Sequence, residues 1–509
     1  MGGASRQPRQ SQPPAVVVAG LRAVARALER HGMIVRDLRA AASREFDLVV
    51  IGGGIYGASV LQEAARRGLR ACLCEAGDFG GATSWNSLRI AHGGLRCLQD
   101  LDLSRFGQFV AARRSLALRF PSLVRPLEFL MPLYGRGLRR RPVMQVGLWL
   151  NDVLSRHRNE GLPEPLHVPD GRVLDAAATR EAFGQVRAEG LDGAAAWCDY
   201  RMLSPERILM ELLRDACRHG ALALNYLPVT GLLRDGKIIR GVRVHDPDAG
   251  SFEIAARVVV NCAGPWLAEV AEEVGGNTEG LFQPSLAFNL LLDRRLPVRS
   301  ALAVAAPEPG APLLFVVPQE RTLLAGTLHR PRPQRTTEAV ATEAEINEYL
   351  RQLNAAIPGL GAEPRHVLRV FAGLLPAIAA GSRDLARREL VRDHGRAGGA
   401  RGLYSVAGVK FTTAGEVAAR LLDRIDRARS PVAEVCELPL SPATALLTDA
   451  RAMLAAAPDE CAAMLRQVAA EESVRCPDDL LLRRTNWAAT EPDLAPLRAR
   501  VAAALSQPS

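Results

Sequence analysis

The chain has 509 residues, of which 48% are hydrophobic, 23% charged and 5% aromatic, with a formal net charge of +9. That length allows roughly two or three domains with sizeable cores, and no run of about 20 uncharged apolar residues reads as a spanning helix. Basic runs such as Arg139-Arg140-Arg141 are not interleaved with aromatics, which argues against a nucleic-acid partner and leaves solvated surface or contact with an anionic membrane.

In chain order, residues 1–14 are rich in Ser, Gln, Pro and Gly and read as disordered. Ala15 to Ala42 reads as an amphipathic helix with Leu21, Val24, Ala25 and Leu28 on one face. No clean apolar region follows a basic start, so it is not a signal peptide. It either lies on an anionic membrane surface or docks as an extra helix, and docking is preferred.

Phe46 to Glu75 reads FDLVVIGGGIYGASVLQEAARRGLRACLCE, the stretch with the most information. An apolar strand stops at Gly52-Gly53-Gly54, a helical pattern runs from Ala58 to Arg67, and a second strand ends on Glu75. This is the dinucleotide fingerprint in context. Gly52 makes the tight turn, Gly54 lets backbone approach a pyrophosphate, and Gly57 lets the helix pack close on the strand. The helix N-terminus faces the phosphates, and Glu75 is placed to accept hydrogen bonds from a ribose diol.

Gly77 to Cys97 follows, with Thr83, Ser84, Asn86 and Ser87 crowded together ahead of His92-Gly93-Gly94-Leu95-Arg96. Short hydroxylic side chains and glycines suit a loop wrapping a cofactor. Leu101 to Leu118 and Met144 to Val153 read as helices, Pro121 to Pro142 as irregular and proline-broken, and 159–190 as loop with short helix. Ser204 to His219 is a capped helix with Pro205 at its first position. Strands are expected at 222–226, 229–233 and 238–245, the last two joined through Asp235-Gly236.

Val258 to Val260 reads as a buried parallel strand running into Asn261-Cys262-Ala263-Gly264-Pro265-Trp266, a second strand end where a cofactor can sit. Strands at 286–292, 313–317 and 322–327 suggest an antiparallel sheet, followed by a helix over 343–357 and a strand over 367–375. A third glycine turn, Gly408-Val409-Lys410-Phe411-Thr412-Thr413, opens a helix and aims dipole and hydroxyls at the same ligand. Beyond Pro431 the chain is alanine-rich and helical. The nine cysteines show no CxxC spacing, which suggests reduced thiols in the cytosol, and no metal site is expected.

A nicotinamide needs only the first fingerprint. Three glycine-bearing strand ends with an antiparallel insertion between them favour a longer cofactor, FAD. The expected fold is α/β, with a Rossmann-type (glutathione-reductase-like) FAD-binding domain, an antiparallel-sheet substrate domain and a small C-terminal α-helical cap. The division expected is a leader over 1–45; the FAD-binding domain over 46–120, 190–280 and 365–430; the substrate domain over 121–189 and 281–364; and the cap over 431–509. The candidate cofactor contacts are Gly52, Gly54, Gly57, Glu75, Thr83, Ser84, Ser87, Gly93, Gly94, Ala263, Gly264, Gly408, Thr412 and Thr413.

The fingerprint, His92 to Arg96, Asn261 to Trp266, Gly408 to Thr413 and the late Asp478-Asp-Leu-Leu-Leu-Arg-Arg-Thr485 together resemble the FAD-dependent glycerol-3-phosphate dehydrogenases, in the same order from about Phe46 to Thr485. The resemblance implies oxidation of a secondary alcohol of glycerol 3-phosphate or a related polyol, hydride transfer to flavin N5, and electron delivery to quinone at a membrane surface. It also implies a cytoplasmic protein peripheral to the inner face of the membrane, with a homodimer open. Carried over by position, His92, Arg96 and Lys410 are the catalytic candidates, with His92 preferred as base and Lys410 second. Arg96, Arg388 and Lys410 are the substrate candidates.

The chain also departs from the family pattern. Leu375 stands where the family carries its phosphate-binding arginine, Arg387 or Arg388 being the replacements considered. Thr413-Ala414-Gly415 replaces Thr-Tyr-Arg, and Cys97 replaces a tyrosine. Two alternatives stay open: an FAD-dependent amine or 2-hydroxy-acid oxidoreductase, and a non-catalytic flavin-binding interaction protein.

Overall fold

The computed structural model describes residues 32–135, 137, 139–273, 278–429 and 437–506. The disorder expected for 1–14 and most of the helix expected over 15–42 lie outside these residues. Within them the helix is only Leu38–Ser43, begun by Asp37, whose carboxylate accepts from the Ala40 N–H at 2.8 Å. Just before it, the Arg36 guanidinium donates to the Asn225 and Tyr226 carbonyls and pairs with the Asp246 carboxylate. This segment is therefore tied to the body of the protein.

Phe46–Ile51 is buried along its whole length and pairs in parallel with Ala71–Cys74 on one side and with the Ala256 to Asn261 part of Gly250–Asn261 on the other. Leu222–Leu224 and Leu403–Ala407 extend the parallel ladder at the two flanks, and Leu390–Asp393 closes one edge antiparallel. Continuous apolar runs suit strands covered on both faces. One face is covered by Ile55–Arg66, against which Pro205–Arg218 and Ala414–Ile425 pack. The other is covered by a meander of Val229–Asp235, Ile238–Asp246 and the start of Gly250–Asn261. The carboxyl ends of the parallel strands, at Gly52, Glu75, Cys262 and Gly408, therefore gather on one edge, where such sheets hold ligands.

The second sheet has nine strands among the described residues, in the order Val367–Pro376, Pro284–Leu292, Leu323–Pro331, Leu314–Pro318, Ala301–Val304, Val124–Leu133, Gly193–Met202 and Ile90–Ala91, with Arg172–Asp175 beside Gly193–Met202. It is antiparallel except where Ala301–Val304 meets Val124–Leu133. Helix Glu343–Ala356, started by a Thr342/Glu345 capping box, lays Tyr349, Leu350 and Leu353 on it.

Two expectations are corrected here. The segment from Pro121 to Pro142, read as irregular, contains the ten-residue strand Val124–Leu133, which pairs along its whole length with Gly193–Met202, a strand not foreseen at all. Pro126 and Pro132 are tolerated because on the opposite flank only Phe129 and Leu130 meet another strand, so both prolines sit at a free edge. The segments 46–120, 190–280 and 365–430 each contribute strands to both sheets.

The C-terminal helices, from Thr444–Leu447 to Ala495–Ser506, close around Leu465, Leu480, Trp487, Leu497 and Val501.

Candidate active site

A cavity of about 2480 Å³ runs along the carboxyl edge of the parallel sheet and across the inner face of the nine-stranded one. Gly52, Gly54, Glu75, Thr83, Ser84, Ser87, Gly94, Ala263, Gly264, Gly408 and Thr412 lie on its wall, as do His92, Arg96 and Lys410. The nucleotide end is shaped by glycines that admit no substitute. Gly52 has φ +97°, and a Cβ on Gly57 would lie 1.8 Å from the Gly52 carbonyl oxygen, so helix Ile55–Arg66 can sit against the turn only without that atom. Ser84 accepts from the Ile55 N–H at 2.9 Å, holding the hydroxylic loop over the helix N-terminus, and Thr83 donates to the Leu374 carbonyl at 2.9 Å. The Glu75 carboxylate accepts from the N–H groups of Gly53 at 2.6 Å and Gly77 at 2.8 Å. Burial raises its pKa, against those two bonds. A long cradle with a positive helix end at one site and a carboxylate 22 residues beyond Gly53 fits a dinucleotide such as FAD.

Gly408 is required for a second reason. A Cβ there would lie 1.7 Å from the Tyr56 ring, whose hydroxyl donates to the Lys410 carbonyl at 2.8 Å and accepts from the Lys410 N–H at 3.3 Å. Tyr56 thus latches the fingerprint helix to the turn that carries Lys410. Gly408→Ala is expected to displace one of the two, at a cost of roughly 1–3 kcal/mol, and to lower flavin retention. The flavin absorbance remaining after gel filtration checks this; full occupancy would refute it.

His92 is held by a residue the sequence did not point to. Its Nδ1 lies 3.3 Å from Oδ2 of Asp199, whose Oδ1 accepts from the Gly93 N–H at 2.6 Å and from Arg113 Nη1 at 2.8 Å. Asp199 is 4% exposed. Burial alone would raise its carboxyl, but His92, Arg113 and the Gly93 N–H outweigh that and hold it below the ordinary value, so it stays ionised. A carboxylate only accepts, so Nδ1 carries the proton and Nε2 keeps its lone pair for the cavity. Gly93 itself does not line the cavity. A Cβ there would lie 2.2 Å from Arg113 Nη1, and its role is to admit the Arg113–Asp199 pair.

Cations gather around Lys410. Burial, then Arg105 and Arg96, hold its ammonium below the ordinary value, and burial, Lys410 and Arg96 push His329 down to about 4. Among the described residues, Arg96, Arg105 and Lys410 have no ion pair within 4 Å. The His329 Nδ1 is buried without a hydrogen-bond partner. Arg105 and His329 escaped sequence reading because an arginine on a helix and a histidine on a strand carry no motif.

Besides Gly93, three candidates lie off the cavity wall. Arg388 is off the cavity wall, with its side chain 74% exposed and 3.4 Å from Asp102, while Arg383 and Arg387 of the same loop line the cavity. Thr413 is buried behind the wall, donating to Glu389 at 2.7 Å, and Gly57 serves helix packing.

The chain matches the family model described as FAD dependent oxidoreductase over residues 47–424. It belongs to that family, and FAD is its cofactor. Among curated relatives it is similar to the glycerol-3-phosphate dehydrogenase 2 of Mycobacterium tuberculosis (strain ATCC 25618 / H37Rv), 32% identical over 387 residues, which are 75% of this chain and 63% of that protein. The chain thus spans less than two thirds of the length of that relative. Among solved structures it resembles a glycerol-3-phosphate dehydrogenase from Bacillus halodurans complexed with FAD, with TM-score 0.67 and 21% identity, covering 91% of this chain and 90% of that one. It also resembles a glycine oxidase from Geobacillus kaustophilus, with TM-score 0.54 and 18% identity, covering 78% and 99%. These two likenesses show the shared fold, including an oxidase of different chemistry.

Proposed function

We propose that the protein oxidises the secondary alcohol of glycerol 3-phosphate or a closely related polyol phosphate in the cytoplasm, with a quinone as final electron acceptor. The observation that carries the reading is the pairing of His92, oriented by a buried carboxylate, with cations that form no ion pair within 4 Å among the described residues on the same cavity wall. Bound FAD supplies a two-electron acceptor at N5 for the carbinol hydride. His92 Nε2 takes the hydroxyl proton, since the alcohol must lose a proton as its C–H hydride leaves and the ketone forms. Asp199 fixes the ring and balances the imidazolium that results. Arg96, Arg105 and Lys410 hold an anionic group and stabilise negative charge developing on the carbinol oxygen. The relatives named above, described as glycerol-3-phosphate dehydrogenases, support the same reading.

Anaerobic titration of the purified flavoprotein tests it. Glycerol 3-phosphate is expected to bleach the visible flavin band at far lower concentration than glycerol, the difference being the phosphate. Equal response to both would remove the anion site from the account. Bleaching by amines or 2-hydroxy acids alone would overturn the reading in favour of that chemistry.

A further inference from the structure

His329 is a polar side chain of the cavity wall that the mechanism leaves unused. It stands on Leu323–Pro331, opposite Ala287 of Pro284–Leu292, which is itself opposite Gly373 of Val367–Pro376. Residues paired in this way project from the same face of a sheet, and all three line the cavity. Gly373 lies under the hydroxylic loop, since a Cβ there would be 2.8 Å from Thr83 Cγ2, and Ala287 is short. The imidazole is therefore the first polar group on this row beyond the loop. Leu375, which stands where the family carries an arginine, is in the next row, opposite Ser285, and offers the cavity only an apolar side chain.

The two ring nitrogens differ. Nδ1 is buried without a hydrogen-bond partner; Nε2 has no partner among the described residues either, but is not buried. A buried N–H left without an acceptor is rarer than an acceptor left without a donor, so Nδ1 carries the lone pair and Nε2–H is turned to the cavity. Burial, Lys410 and Arg96 push the ring down to about 4, outweighing Asp384, so it stays uncharged. Such a ring is a poor proton acceptor; what it offers is a donor.

Arg96 and Lys410, on the same wall, also only donate. A surface built from donors suits a group rich in acceptor oxygens, and a phosphate monoester presents three where a carboxylate presents two. We propose that His329 Nε2–H donates to a phosphate oxygen of the substrate, completing the anion site whose charges are Arg96, Arg105 and Lys410. This rests on the proposed function and makes His329 a specificity-determining residue, distinct from the proton acceptor His92.

Calorimetric titration of the FAD-loaded protein with inorganic phosphate reads the contact without turnover. His329→Leu keeps much of the bulk and removes the donor, and should weaken phosphate binding about tenfold to a hundredfold, the range for one hydrogen bond to a charged group. His329→Gln brings an amide N–H to the place of Nε2 and should recover most of the affinity. His329→Asn puts its amide near Nδ1 instead and should behave like H329L. In flavin reduction by glycerol 3-phosphate, the loss should fall on the concentration giving half-maximal rate far more than on the limiting rate. Undiminished phosphate binding by H329L, or recovery by H329N and not by H329Q, would overturn the assignment and leave the proposed function standing. A wild-type protein that binds no phosphate would overturn both. Thermal unfolding shows which variants are folded, and if H329L is not, the contrast of H329Q with H329N decides.

Discussion

Substituting His92 by Gln is expected to slow flavin reduction by substrate about 10²–10⁴-fold, the range a positioned proton acceptor contributes, while leaving flavin bound. Glutamine keeps much of the volume and can still donate toward Asp199, but it offers no nitrogen lone pair to accept the alcohol proton. Asp199→Asn should lower the same rate less, because the ring survives but loses the charge that balances it. The two residues are in contact, the Nδ1–Oδ2 distance being 3.3 Å, so their effects should not add. If Asp199 acts only through His92, H92Q/D199N will be no slower than H92Q alone. Anaerobic stopped-flow at saturating substrate measures all three. An additive double variant would assign Asp199 a separate role, and an unimpaired H92Q would transfer the base to another residue on the wall, Lys410 first. Both variants must retain flavin for the comparison to stand; Glu75 and the Gly52 turn are untouched by either.

What could be read from the sequence follows from how local its causes are. The strand, turn and helix of Phe46 to Glu75 are dictated by neighbours: apolar residues on a buried strand, glycines where backbone must crowd, an acid at the next strand's tip. In the structure Gly52 has φ +97°, and a Cβ on Gly57 would lie 1.8 Å from the Gly52 carbonyl oxygen. The Gly408 turn was legible for the same reason, although its reason for being glycine, the Tyr56 ring, lies about 350 residues away and was not. Asp199 was missed because its strand was missed. Gly193–Met202 begins Gly-Ala-Ala-Ala, weak in intrinsic strand preference, and exists because Val124–Leu133 lies beside it, a pairing between segments some 70 residues apart. Arg388 was misplaced because periodicity says nothing about which of several arginines in a loop turns inward. Local chemistry thus marked the glycine-lined edge of the cavity, and the non-local pairing brought in the carboxylate that holds His92.

Arg484→Ala is expected to destabilise the protein by roughly 1–3 kcal/mol, the cost of taking hydrogen-bond partners from a buried polar group, since Asp78 keeps Arg483 at 2.9 Å, and to loosen flavin binding at a distance. Arg484 is fully buried in the C-terminal helical unit and donates from Nη1 and Nη2 to the two Asp78 oxygens at 2.7 and 2.8 Å. Asp78 also accepts from Arg483 at 2.9 Å and from Asn225 at 2.9 Å, while Arg484 reaches the Glu472 carbonyl at 3.0 Å. Asp78 stands three residues beyond Glu75, on the loop whose Gly80 N–H donates to the Gly53 carbonyl at 3.0 Å. The cap therefore grips the segment beside Glu75 at one end of the cavity, which is why losing that grip is expected to be felt there. A buried pair is weak evidence of net stabilisation, since both charges were desolvated to form it. Removing both charges should accordingly be milder than removing one. Asp78→Asn with Arg484→Met is expected to recover most of the loss. Thermal unfolding with flavin fluorescence as a second probe measures each variant. If R484A melts with the wild type, or if the double variant is no better than the single one, the clasp does not join cap to cofactor site in the way the geometry indicates.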